Sequence, residues 1–185
     1  MVDYCSDVNG FGRVEKTTDM DEIMTVNGVE YEIIKLLGKG KGGYSYLAEK
    51  DGKQYVLKQI HHEPCEYYSF GDKIAAEQGD YRRLVNAGIR IPQMIDIDIE
   101  NERIIKEYID GPTIQELVET DQMQEDYLVQ GREMACKAMA AGLNIDYYPT
   151  NFVAQEGIIY YIDYECNEYM DEWSFDTWGV KYWRK

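Results

Sequence analysis

The chain has 185 residues, 44% hydrophobic and 29% charged, a balance that suits a globular protein of one domain or two small lobes. With 19 Lys+Arg against 35 Asp+Glu the formal charge is −16, which excludes recognition of nucleic acid or an anionic membrane through a broad basic face. No apolar run reaches the length of a membrane helix, and Asp3, Asp7, Arg13, Glu15, Asp19, Asp21 and Glu22 interrupt any signal peptide, so a cytoplasmic chain is expected.

Cys5, Cys65, Cys136 and Cys166 are scattered with no C-x-x-C pair, which indicates neither a zinc site nor a disulfide framework. The adjacent His61 and His62 end a strand pattern and read as surface or turn residues.

Residues 1–22 are acidic and aperiodic, and read as an N-terminal arm. From Ile23 the pattern is that of a hairpin: Met24, Thr25 and Val26, the turn Asn27-Gly28, then a strand over 29–37. Gly38-Lys39-Gly40-Lys41-Gly42-Gly43 fits G-x-G-x-x-G, and glycines let backbone amides approach phosphate oxygens without a Cβ in the way. A dinucleotide-binding loop would run on into a helix; here a strand follows over 44–49, turns at Asp51-Gly52 and returns over 54–60. On that third strand Lys58 shares a face with Val56 and Ile60, and an ammonium among inward apolar side chains needs a counter-charge. A helix is expected over 72–86, with Glu77 on the stripe of Ile74, Tyr81 and Leu84, which makes Glu77 the first candidate partner and leaves Glu66 and Asp80 as alternatives.

Gly88 and Pro92 end that helix, and strands over 93–99 and 103–108 complete an expected five-stranded antiparallel sheet with one helix. The run 106–112 breaks regular structure as a hinge, where the backbone of Glu107 and Tyr108 is the candidate for hydrogen bonds to a purine base. Thr113 is expected to cap a short helix, and a longer one over 121–141, opened by Asp121-x-x-Gln124 as a capping box, buries Tyr127, Leu128, Met134, Ala138 and Ala141. It delivers the chain to Asn144-Ile145-Asp146, then Asn151, a short hairpin with Glu156-Gly157 at its tip, and Asp163-Tyr164-Glu165. Asp146 suits a free acceptor for a nucleophile's proton, and the amide oxygen of Asn151 and the carboxylate of Asp163 suit a hard metal ion. Tyr169, Trp173, Phe175, Trp178, Tyr182 and Trp183 crowd the last twenty residues, as a seal beneath the second lobe or as a patch for a protein partner.

The ordered set of glycine loop, Lys58, Glu77, hinge, Asp146, Asn151 and Asp163 covers roughly 28–165 and resembles the protein-kinase-like superfamily. The segments A-G-I-R-I-P and E-Y-I-D-G-P-T are similar to small atypical kinases, namely the RIO family and the kinase partner of the tRNA threonylcarbamoylation complex, and to aminoglycoside and choline phosphotransferases. The resemblance implies an α+β two-lobe fold: a kinase-like N-lobe over 23–108 and a reduced, mostly helical C-lobe over 109–185. It implies ATP and Mg²⁺ as cofactors. Gly38, Lys39, Gly40 and Gly43 would cradle phosphates, Lys58 would contact them and be held by Glu77, Asp146 would orient the acceptor hydroxyl, and Asn151 and Asp163 would bind the metal.

Three departures bear on function. Asn144 stands where the family has His, the metal Asp is followed by Tyr-Glu, and no activation segment or peptide platform is readable. The expected activity is phosphoryl transfer to a hydroxyl of a protein Ser/Thr or of a small molecule, and the acceptor stays open. A nucleotide-binding pseudokinase serving as a regulatory or scaffolding module is the second reading. An interaction protein held by its aromatic tail is the third.

Overall fold

A computed structural model describes residues 22–40, 42–62 and 72–184. The expected N-terminal arm and Glu66 lie outside them. The fold is mixed α/β, built on one curled antiparallel sheet of six strands: β1 (Glu22–Val26), β2 (Val29–Lys39), β3 (Gly43–Lys50), β4 (Lys53–Ile60), β5 (Met94–Asp98) and β6 (Arg103–Glu107), in the order β1-β2-β3-β4-β6-β5. Helix α1 (Lys73–Asn86) lies between β4 and β5 in the chain, with its N-terminus capped by the Asp72 carboxylate on the Ala75 N–H. Two-residue turns at Asn27-Gly28 and Asp51-Gly52 have positive φ at both positions, the geometry that matches strand twist.

The sixth strand corrects the expected five. Residues 22–26 do not merely lead into the sheet; they pair with β2 at every position, and Val26 is fully buried with Tyr31, Ala48, Leu57 and Ile105 inside the curl. The turn after β1 is also tied to the opposite edge. Asn27 donates its backbone N–H to Asp98 (2.8 Å) and its side-chain amide to Asp96 (2.9 Å) and to the Ile97 carbonyl (3.0 Å). Asp98 accepts from Asn101 as well, and these hydrogen bonds hold its carboxyl down at about 2.

Beyond β6 come α2 (Ile114–Glu119), α3 (Glu125–Ala140), β7 (Leu143–Ile145), the hairpin β8 (Phe152–Gln155) with β9 (Ile158–Tyr161), and β10 (Cys166–Glu168), which pairs back on β7. The Thr113 cap forms as expected, as a reciprocal capping box with Glu116. The long helix starts four residues later than the sequence suggests. Asp121 sits at φ 61 just past α2, donating its N–H to Val118 O while Gln122 donates to Leu117 O. That pattern is a Schellman ending, so Asp121 stops α2 instead of opening α3. Gln124 precedes α3 without a side-chain cap, Gly131 joins its buried face, and Ala141 is exposed.

The main core lies beneath the sheet and joins α1 to everything after the hinge: Leu84 and Ile89 pack in one cluster with Ile114, Leu128, Met134, Phe152, Tyr161, Phe175 and Trp183. Phe175 and Trp183 seal this core, with the Trp183 indole N–H donating to Tyr147 O at 2.8 Å. A Cβ on Gly131 would stand 3.0 Å from the Trp183 ring, so α3 carries no side chain there and the indole takes the space. Trp173 is 45% exposed, which divides the tail between a seal and a surface.

Candidate functional site

The sheet register builds the upper half of the site. Lys58 is opposite Ile104, and Val56 is opposite Lys106, so Lys58 and Lys106 are diagonal neighbours on one face of β4 and β6. The same face carries Ile60 and Ile104, packed on Ile74 of α1. One turn further along α1, Glu77 pairs with Lys58, with side chains 11% and 15% exposed. Asp80, the alternative partner, instead meets Arg83 (3.1 Å) and the Cys166 thiol (3.3 Å), where burial pushes that thiol up to about 12.

The glycine loop closes over the ion pair. Gly38 and Lys39 end β2, and Gly40 donates to Gly43 O at 2.9 Å across the loop. A Cβ at Gly42 would stand 3.4 Å from the Lys58 ammonium and 3.7 Å from Glu77 Oε1, so the loop backbone rides directly over the pair. A Cβ at Gly43 would collide with the Gln59 carbonyl, which makes glycine obligatory there. His61, read from sequence as a bystander, lies 3.1 Å from Gly40 O and 5.2 Å, ring to ring, from Tyr44, and so braces the loop.

The lower half is organised by the β8–β9 hairpin. Ile162 donates to Asn151 O at 2.9 Å, which brings the residues flanking the two strands to one end. Asn151 points its amide NH₂ at the Asp146 carbonyl (3.4 Å), turning its oxygen away. The exposed Asp146 accepts from the Tyr148 N–H (3.0 Å), and Asp163 from the Tyr164 N–H (2.7 Å). Asn151 and Asp163 thus lie at the same end of the hairpin, joined through the Ile162 N–H on Asn151 O. Gln130 of α3 fastens the hairpin, accepting from Ile159 N and donating to Gly157 O.

Tyr161 was not singled out by sequence, yet its hydroxyl receives the Asp146 N–H (3.3 Å) and donates to Glu165 O (2.7 Å), joining the Asp146 loop to the Asp163 turn. Burial, with Asp163 nearby, raises this phenol well above its ordinary range, so it remains a donor. The signal was its place at the end of β9, two residues before Asp163. Asn144 is buried in β7 and donates to Met170 O at 2.7 Å, a structural tie to the tail.

The two halves meet at Lys106. Its ammonium donates to Ile162 O at 3.2 Å and lies 4.2 Å from the centre of the Tyr164 ring. Burial, and then the positive Lys58, depress it to about 8, while Glu77 and Asp163 oppose that fall. At the hinge, Glu107 gives its N–H to Gln93 O (2.9 Å), and Tyr108 is half-buried, its phenol raised by burial and by Asp110. Asp176 pairs with Arg132 on α3 at 3.0 Å. Among the described residues no helix is long and apolar enough to cross a membrane.

No protein-family model matches the chain. It is similar to the KEOPS complex subunit Bud32 of Pyrococcus abyssi (strain GE5 / Orsay), with 31% identity over 152 residues that span 75% of this chain and 69% of that protein. The chain belongs to the small atypical, Bud32-like family of protein-kinase-like proteins.

Proposed function

We propose that the chain is a minimal ATP- and Mg²⁺-dependent phosphotransferase that moves the γ-phosphate to a hydroxyl of a protein Ser/Thr or of a small molecule. The observation that carries the reading is the buried Lys58–Glu77 pair beneath the glycine loop at Gly42, since a loop stripped of side chains over a fixed ammonium has the chemistry of a phosphate cradle. Lys58, oriented by Glu77, would draw phosphate charge toward the sheet. The Glu107 carbonyl and the Tyr108 backbone are the hinge groups left for the base, because Gln93 already takes the Glu107 N–H. Asn151 and Asp163 would hold Mg²⁺, which supplies charge neutralisation at the phosphates. Asp146, exposed and with one carboxylate oxygen held by the Tyr148 N–H, would align the acceptor hydroxyl and accept its proton.

The relative's standing as a subunit of a complex supports a chain that works among protein partners, and the exposed Trp173 and Met170 on the tail are a candidate contact. A purely regulatory module stays the second reading, favoured by Asn144, whose buried oxygen has no hydrogen-bond partner among the described residues and whose amide serves the tail.

The test is the melting temperature with excess ATP, with and without Mg²⁺. Saturation to about 100 times the dissociation constant should stabilise the wild type by roughly 2.7 kcal/mol, and Lys58→Ala should lose that gain. Transfer abolished in Asp146→Asn with ATP binding kept supports the enzyme; no stabilisation by any nucleotide discards both ATP-based readings.

A further inference from the structure

Lys106 has no part in the reading above, yet it is 5% exposed in the middle of the site. A strand position that only needed packing would carry an apolar side chain, as Ile104 does two residues earlier on the same face. Among the described residues this ammonium donates to the Ile162 carbonyl immediately before Asp163, and its charge rests on the ring immediately after it, Tyr164. Tyr164 is 1% exposed and anchored on three sides. Lys106 covers its face, Tyr81 of α1 packs at 5.1 Å between ring centres, and its hydroxyl donates to Pro92 O at 2.8 Å. Its backbone N–H in turn holds Asp163 Oδ1 at 2.7 Å. All three anchors of Tyr164 belong to the sheet unit and its helix, whereas Asp163 follows the lower hairpin and enters β10 three residues later.

We propose that Lys106 is a positioning residue: its ammonium clamps the turn 162–164 onto β6 through the Ile162 carbonyl and the Tyr164 ring, and thereby sets the Asp163 carboxylate before nucleotide arrives. The functional side of this inference rests on the phosphotransferase reading; the structural side does not. The clamp takes the place of a mobile segment as the device that orders the metal ligand, and its expected consequence is an Asp163 already set in the ligand-free protein.

Amide hydrogen exchange on the ligand-free chain tests the clamp directly. In Lys106→Met the amides of residues 163–165 should exchange about tenfold faster or more, while those of α3 keep their rates. Lys106→Arg, which restores a charged donor over the ring, should recover most of the protection. Calorimetric titration of ATP with Mg²⁺ and with chelator then reads the consequence. The gain in affinity from Mg²⁺ should shrink by about tenfold in Lys106→Met, as for other groups that orient a metal ligand, with chelator-measured affinity little changed.

Wild-type exchange at 163–165 in Lys106→Met overturns the clamp whatever nucleotide does, and an equal loss of affinity with and without Mg²⁺ overturns its link to Asp163. If the wild type binds no nucleotide, the phosphotransferase reading falls and the exchange result alone judges the clamp. Should Lys106→Met fail to fold, Tyr164→Leu takes away the ring that carries the Lys106 charge. Faster exchange at 163–165 is expected there too, and unchanged exchange overturns the proposal.

Discussion

Lys58 and Glu77 are held by burial, between a strand and a helix under the glycine loop, whereas Asp146 is open to solvent, its backbone N–H donating to the Tyr161 hydroxyl and its carboxylate accepting from the Tyr148 N–H. In the upper half each charge needs its partner, because neither can reach water without moving the sheet or α1. In the lower half the functional atoms are hung on a hairpin and a tyrosine network whose stability does not depend on them. The two halves should therefore answer mutation differently. Polar changes above should act on folding as much as on ligands, and polar changes below on ligands alone.

The largest effect should come from the scaffold under the lower half. Trp183→Ala removes a fully buried indole and its bond to Tyr147 O, and should cost about 4 kcal/mol in denaturant unfolding. A loss below about 1 kcal/mol would mean that the tail is not the seal of that half. Next, Glu77→Ala strands the Lys58 ammonium and should cost about 3 kcal/mol, measured in the same way without any ligand. A near-neutral result would place Glu77 with the ligand-only residues and erase the contrast.

Lys106 sharpens the upper side through pH. Its folded value of about 8 lies below the ordinary 10.5, so the unfolded chain binds this proton more tightly. Stability should therefore rise as pH goes from about 8 to 10.5, with the full penalty present below 8. The whole interval corresponds to about 3 kcal/mol, of which the part up to pH 9.5 is measurable before other lysines interfere. Lys106→Met should lack that rise, and an identical alkaline profile in both proteins contradicts a buried ammonium. The smallest stability effect is expected for Asp146→Asn, within about 0.5 kcal/mol of wild type, although phosphoryl transfer should fall by about 10²–10⁴. A large destabilisation there would show that the lower half also depends on its charges.

Local period was enough to find the upper pair. Alternation along β4 put Lys58 on a buried face, and helical spacing put Glu77 beside Ile74 and Leu84, so two independent patterns converged on one contact. The glycine loop was legible because a strand, not a helix, follows it. What the sequence did not yield depends on contacts far apart in the chain. The hairpin at Asn27-Gly28 was legible, but not its tie to the opposite edge of the sheet, where Asn27 meets Asp96 and Asp98 some seventy residues away. Asp121 carries the composition of a helix start, and only its positive φ after Thr120 assigns it to a helix end. Tyr161, His61 and Lys106 act through backbone atoms of remote turns, which no side-chain pattern reports.

The tie between the two rims of the sheet has a consequence for self-association. Strands β1 and β5 are the termini of the hydrogen-bonded order, each only five residues long, and Asn27 draws the end of one against the acidic run Asp96 and Asp98 of the other. A second copy that tried to extend the sheet would find a short template, flanked by carboxylates and partly covered by the opposite rim. The curl that shapes the interior therefore also guards against polymerisation, and loosening Asn27 would expose two sticky borders at once.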